Sequence, residues 1–233
     1  MYKCIEKTKF KILINKQMNL DKSNWTKNEI DILKNINSPY KIQQFLDETE
    51  YNSSHETRSP KFVLNNKRAH CMEGAMFAAF CLELQGFPPT ILDMLAFNDD
   101  DHVIAIFKHK GFWGAIAKSN FTTLRFREPV YKSLRELTMS YFDFYLNTIG
   151  DKSLRAYSLP YNLNKQNKLN WRTTEKDLEE IGNNLNNVKH FPIINQEQIN
   201  NLEVAGDYLL ESSMFGANIA GLYVPDKQLS KPI

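Results

Sequence analysis

The sequence predicts an α+β fold in which helices pack on an antiparallel β-sheet, and three features carry that prediction. The stretch RAHCMEGAMFAAFCLELQGFPP, residues 68–89, is apolar at Met72, Ala75, Met76, Ala78, Ala79, Phe80 and Leu82, then meets Gly86 and two prolines. This is a buried helix of about four turns, stopped by a left-handed glycine cap and by prolines that cannot continue it. HVIAIFK from His102 and FWGAIA from Phe112 alternate on either side of His109-Lys110-Gly111, the pattern of a β-hairpin with a loop of about three residues containing glycine. Further stretches before and after them carry the spacing of amphipathic helices.

In chain order, Phe10, Ile12 and Ile14 alternate with Lys11, Leu13 and Asn15 and suggest a short strand. Thr26 followed by Glu29 is a capping-box pattern opening TKNEIDILKNI. Ser38-Pro39 opens a second helix, with proline at its first position and Ile42, Phe45 and Leu46 as its apolar face. Residues 51–60, YNSSHETRSP, read as a polar loop able to flank a site, and KFVLNN leads from it towards Cys71. After the buried helix, TILDMLAF (Thr90–Phe97) is strand-like, and FTTLRFREPV is extended as far as Pro129. Leu134, Leu137, Tyr141 and Tyr145 then mark an amphipathic helix whose aromatic stripe faces a core. Residues 151–170 are irregular apart from a strand at Leu154–Leu159. Thr174 is placed to cap TEKDLEEIGNNL, with Asp177 as its reciprocal partner, and a last helix is expected near Gln196–Leu210. The tail SSMFGANIAGLYVPDK carries two glycines amid apolar residues and reads as a packed, turning segment able to cover part of the site.

With 42% hydrophobic and 12% aromatic residues, 233 residues suffice for a sizeable core. The whole of 1–233 reads as one domain, with a core over about 38–150, helices before it and a C-terminal elaboration over 151–233. Twenty-nine basic against 27 acidic residues leave a formal charge of +2 and no basic stripe, so no nucleic-acid partner is expected. No apolar run resembles a signal peptide or a membrane span, and no membrane partner is expected. Cys4, Cys71 and Cys81 cannot form a paired framework, and free thiols suit the cytoplasm. Asp99–Asp101 lack the glycine of a calcium loop, and no Cys or His pair has zinc spacing. No metal and no cofactor are expected. Nothing in the sequence bears on oligomeric state.

The chemistry-bearing residues gather between Arg68 and Asn120. Cys71 falls in the first turn of the buried helix, where unpaired N–H groups and the helix dipole favour a thiolate. Cys81, among Phe80 and Leu82, reads as a structural thiol. His102 opens the hairpin, and the returning strand should bring Lys118, Ser119 and Asn120 near it. An imidazole base needs a partner to fix its tautomer, and Ser119 or Asn120 is placed to supply one. His55 and His70 read as solvent-exposed, Trp113 as a hairpin core residue, and Glu73 as a first-turn carboxylate turned away from the sulfur.

Together these residues resemble the transglutaminase-like cysteine enzymes, relatives of the papain-like superfamily. The resemblance rests on Cys71 at a helix start, the Ala-rich helix ending in Leu82-x-x-x-Gly86-Phe87-Pro88, the His102-Val103 strand, and Gly111-x-Trp113 in the returning strand. It covers roughly residues 60–125. It implies a transglutaminase-like or papain-like fold with the nucleophile at a buried helix N-terminus facing His102 across a cleft. The family commonly places an aspartate about four residues after the tryptophan, where this chain has Ala117. Strand alternation keeps Ser119 on the face of Trp113, whereas a bulge would bring Asn120 inward; asparagine is the papain-like choice, so Asn120 is preferred.

The resemblance implies Cys71 as nucleophile and His102 as base, acting on a peptide or other amide-containing substrate through an acyl-enzyme. The Cys71 N–H and one donor among Asn65, Asn66 and His70 would hold the oxyanion. The other class of function is a catalytically silent relative that uses the same cleft to bind a peptide or protein. Intact Cys71 and His102 favour the enzyme, and the missing aspartate favours the binding module.

Overall fold

A computed structural model describes residues 20 and 22–227; the strand expected at Phe10–Ile14 lies outside the described residues. The first helix, α1 (Lys27–Asn35), is held by the capping box read from the sequence. The Glu29 N–H donates to Thr26 Oγ1 at 3.2 Å and the Thr26 N–H to Glu29 Oε2 at 2.6 Å. Ser38 caps α2 (Pro39–Asp47), whose Ile42, Phe45 and Leu46 are buried. The same Ser-Pro grammar recurs at Ser59-Pro60 and opens α3 (Pro60–Asn66), a helix that the sequence reading passed over as the end of a loop. Lys67, at φ 51°, turns the chain out of α3. Strands β1 (Glu50–Tyr51) and β2 (Arg68–Ala69) then pair in parallel on either side of α3 and deliver the chain to α4 (Cys71–Leu84).

Helix α4 is the post around which the layers are built. Every residue from Met72 to Leu82 is buried, as expected of a helix apolar on all sides. Burial of Met76, Phe77, Phe80 and Leu82, each at most 1% exposed, is worth roughly 1.5–3 kcal/mol per side chain. The helix ends in a Schellman motif. The Phe87 N–H donates to Leu82 O and the Gly86 N–H to Glu83 O, both at 3.0 Å, with Gly86 at φ 88°.

Behind α4 lies an antiparallel sheet of β3 (Thr90–Ala96), β4 (His102–His109), β5 (Phe112–Ile116), β6 (Arg127–Tyr131), β7 (Leu154–Ser158), β8 (Tyr161–Asn162) and β9 (His190–Pro192). Its order is β6-β5-β4-β3-β7-β9, with β8 also paired to β3. The β4–β5 hairpin has a two-residue turn, tighter than the three expected. Lys110 (φ 49°) and Gly111 (φ 90°) both take the left-handed conformation that this turn demands. Pro129 is tolerated because β6 is an edge strand.

Strand alternation divides the core in two. Ile91, Val103, Ala105, Phe107 and Ile116 pack with α1–α4, while Leu92, Met94, Ile104, Ile106, Ala115 and Ala117 pack with α5 (Leu134–Phe142) and with Tyr145, Leu154 and Ile193. The segment after residue 150, expected as an elaboration, supplies three strands of this sheet. Its Trp171, Leu178, Ile181 and Leu185 belong to the α4 core.

Two helices differ from expectation. Thr174 does not cap; α6 (Glu179–Asn186) begins five residues later, and Asp177 Oδ1 instead accepts the N–H groups of Glu179 and Thr57, both at 3.0 Å. The final helix is broken into α7 (Gln196–Asn200) and α8 (Asp207–Ser213), because Ala205 leaves the helical path to donate its N–H to Gly150 O at 2.9 Å. No described helix is long and apolar enough to cross a membrane.

Candidate active site

The N-terminus of α4, the start of β4 and the segment after β5 meet at one end of the sheet. Two contacts set how closely. A Cβ on Gly74 would overlap the Cβ of Lys118, so the first turn of α4 lies directly on the chain leaving β5. On the same segment the Gln43 amide behaves as a short strand. Its Nε2 donates to Ala117 O at 2.9 Å and its Oε1 accepts the Ala117 N–H at 3.0 Å. Ala117, where the resemblance would put an aspartate, thus has its backbone pinned by a buried side chain.

Cys71, His102, Ser119 and Asn120 line one narrow cavity of about 50 Å³, together with Tyr51, Tyr145 and the three aspartates Asp99–Asp101. Cys71 also opens onto an outer groove of about 430 Å³ bounded by Asn52–His55, His70 and Ala220–Val224. The structure thus brings together the four residues singled out in the sequence, but their hydrogen bonds differ from the expected pattern. The Cys71 thiol points at Asp101 O, 3.8 Å away. His102 Nε2 lies 2.9 Å from Leu124 O; a carbonyl only accepts, so Nε2 carries the proton and Nδ1 is the free base. The orienting partner of His102 is thus the Leu124 carbonyl, not Ser119 or Asn120.

Alternation explains this. His102 shares its parity with Ile104 and Ile106, so its ring turns to the α5 side and lies edge-on to Tyr145 at 6.3 Å. Cys71 approaches from the α4 side, next to Val103. Ser119 Oγ accepts the Phe121 N–H at 3.0 Å. Asn120 reaches 98 residues along the chain. Its Nδ2 donates to Asn218 O at 2.9 Å and to Gly221 O at 3.1 Å, and its Oδ1 accepts the Asn218 N–H at 2.7 Å. Lys118 turns away from the cavity and donates to Leu46 O and Thr49 O, and burial lowers its ammonium to about 8.

Electrostatically the pair is neutral in this state. Packing around the sulfur pushes the Cys71 thiol up to about 11, with Asp100 and Asp93 adding to the shift against N–H groups of Val103 and Met72. Burial lowers His102 to about 4, against its hydrogen bond to Leu124. Both shifts oppose transfer of the proton from sulfur to imidazole in this closed state. The thiolate expected from the helix dipole is outweighed here by desolvation. Burial also raises Asp99 to about 7 and Asp101 to about 6. Asp99 is already satisfied by Ser153 Oγ at 2.6 Å and the Asp100 N–H at 2.9 Å. Among the described residues no group of His, Cys, Asp or Glu is arranged to hold a metal ion.

Several contributors were not legible. Leu124 acts through its backbone, which has no side-chain signature. Tyr51 borders the inner cavity and the outer groove, and its hydroxyl has no hydrogen-bond partner among the described residues; it lay inside the loop suspected of flanking the site. Of the expected oxyanion donors, Asn65 donates to Glu29 at 2.7 Å and Asn66 to Phe62 O at 2.9 Å, neither on the cavity wall. His70 borders the outer groove, half-buried, with Nε2 3.2 Å from Glu56 O. Glu73 is fully buried and accepts the N–H groups of His70 and Arg58 and the amide of Asn52 at 2.9–3.0 Å. It shapes the outer wall and does not act on the sulfur. Compared with known proteins, the chain matches no family model and no curated protein.

Proposed function

We propose that the chain is a cysteine-dependent amide hydrolase or acyltransferase of transglutaminase-like, papain-like character, acting on a peptide or other amide-containing substrate. The observation that carries this reading is the shared cavity of Cys71, at the N-terminus of a buried helix, and His102, whose Nδ1 is left unprotonated because Nε2 donates to the Leu124 carbonyl. His102 takes the Sγ proton as sulfur attacks the carbonyl carbon. The Cys71 N–H and the hydroxyl of Tyr51, which lines the same cavity, would hold the oxyanion. Collapse breaks the C–N bond, the imidazolium gives its proton to the leaving amine, and water or a second amine resolves the thioester. Cys71 and Cys81 are free thiols, which supports a cytoplasmic location.

A second reading, a catalytically silent peptide-binding module, is favoured by one observation: the neutral Cys71–His102 pair. An activated ester separates the two. The enzyme reading expects a stoichiometric burst from p-nitrophenyl acetate with the acyl group on Cys71. The burst should disappear in Cys71→Ser and slow by about 100-fold or more in His102→Ala. Absence of acyl-Cys71, or acylation indifferent to His102, rejects the enzyme in favour of the module.

A further inference from the structure

The segment Ala217–Asp226 runs across the mouth of the cavity and is held largely through its backbone. Asn120 grips it with both ends of its amide, as described above. Asn218 Nδ2 donates to Tyr51 O at 3.4 Å, Thr148 Oγ1 to Tyr223 O at 3.1 Å, and Asn98 exchanges two bonds with the backbone of Asp226. At Gly221 the strap touches the Tyr51 ring so closely that a Cβ would lie 2.6 Å from Cε1. Gly221, Leu222 and Tyr223 line both the inner cavity and the outer groove beside Cys71. Meanwhile Ile219 and Val224, 83% and 85% exposed, project into solvent. The strap itself is turned at this point, with Ile219–Gly221 in a short 3-10 helix capped by Asn218. A clamp that reads main-chain amides and carbonyls, with a flat aromatic wall that admits only glycine, recognises such a turned peptide by its backbone and one small residue.

We propose that Asn120 and Tyr51 form a peptide-binding groove leading to Cys71, and that residues 218–223 occupy it in cis as a built-in ligand. A peptide that takes the same short turn, with glycine opposite Tyr51, occupies the place in trans when the strap swings out. The proposal rests on the reading of Cys71 as the reactive group and names the substrate class and its gate. A strap open about one to ten per cent of the time lowers the apparent affinity for such a peptide by about 10- to 100-fold.

The test uses the full-length chain and two variants, Gly221→Val, which puts a side chain against Tyr51, and Asn218→Pro. The latter removes the N–H that Asn120 holds at a residue whose φ of −77° proline accepts. A fluorescein-labelled peptide of the sequence FGANIAGLYVPD, residues 215–226, is titrated by anisotropy, and Cys71 alkylation by iodoacetamide is followed against Cys81. Both variants should bind the peptide about tenfold or more tightly than the unmodified chain, and alkylate at Cys71 about tenfold faster. A peptide with valine in place of Gly221 should not bind. Folded variants that neither bind peptide nor expose Cys71 overturn the proposal. If the variants do not fold, hydrogen exchange of the unmodified chain decides. Amides of Asn218 and Leu222 should open at lower free energy than those of Met76–Leu82, and equal protection refutes an exchangeable strap. Peptide binding and alkylation need no acyl transfer, so the ester burst can fail while the groove stands, and the reverse.

Discussion

Replacing His102 by glutamine separates the ionisation of that buried ring from its hydrogen bond, since the glutamine amide can still donate to Leu124 O. The imidazole falls from 6.5 to about 4 because it is buried. Below pH 6.5 the unfolded chain takes a proton that the native ring refuses, so the unfolded state binds more protons and stability declines as pH drops. The full effect, reached near pH 4, is about 3 kcal/mol, from 1.36 kcal/mol per pH unit. Asp99 and Asp101 act in the opposite sense, because their carboxyls are raised to about 7 and about 6 and bind protons on folding. They are common to both proteins and cancel in the difference. Urea denaturation between pH 8 and pH 4.5 should show the unmodified protein losing stability relative to His102→Gln as the pH falls below 6.5, approaching that 3 kcal/mol. Among the five histidines of the chain, the NMR resonance lost in the variant should titrate near pH 4. Parallel pH profiles, or a His102 resonance with an ordinary midpoint near 6.5, would refute the buried neutral imidazole.

Gly74→Ala should destabilise, contrary to the gain of about 1 kcal/mol usual for that change inside a helix, because the overlap with Lys118 costs about 1–3 kcal/mol; a raised melting temperature would remove the close approach from the account. Gln43→Met keeps the volume but leaves the Ala117 N–H and C=O unpaired in a site that is 0% exposed at Ala117. The expected loss in urea denaturation is about 1–3 kcal/mol for each group, and a change within 0.5 kcal/mol would mean that water replaces the amide.

The parts of the fold read correctly from sequence were those whose signal is local. The sustained apolar run of 72–82 with Gly86 and two prolines specified α4, and the alternation from His102 to Ala117 specified the hairpin. The Thr26–Glu29 box and Ser38-Pro39 specified two helix starts because a cap is a contact within four residues. Ser59-Pro60 carries the same signal and was masked by the polar residues before it. Thr174 failed as a cap because Leu178 and Ile181 are drawn into the α4 core, which starts the helix later. At the site, spacing brought Cys71, His102, Ser119 and Asn120 to one cavity, yet the roles of the last two escaped. His102 is oriented by a carbonyl, and Asn120 holds a segment 98 residues away. Neither a backbone acceptor nor a distant turn leaves a mark in the residues around it.

Helix α4 is buried at every position from Met72 to Leu82, and only Cys71, Glu83 and Leu84 at its two ends keep some exposure. At the far end, Glu83 is clasped by Arg172 through two bonds of 2.7 and 2.8 Å. The thiol is therefore mounted at the end of a helix packed on every side from Met72 to Leu82, while the segments that face it across the cavity come from loops. Cys71 belongs to neither core cluster, so exchange of sulfur for oxygen or hydrogen at position 71 is expected to keep the folded form, leaving chemistry and architecture free to change separately.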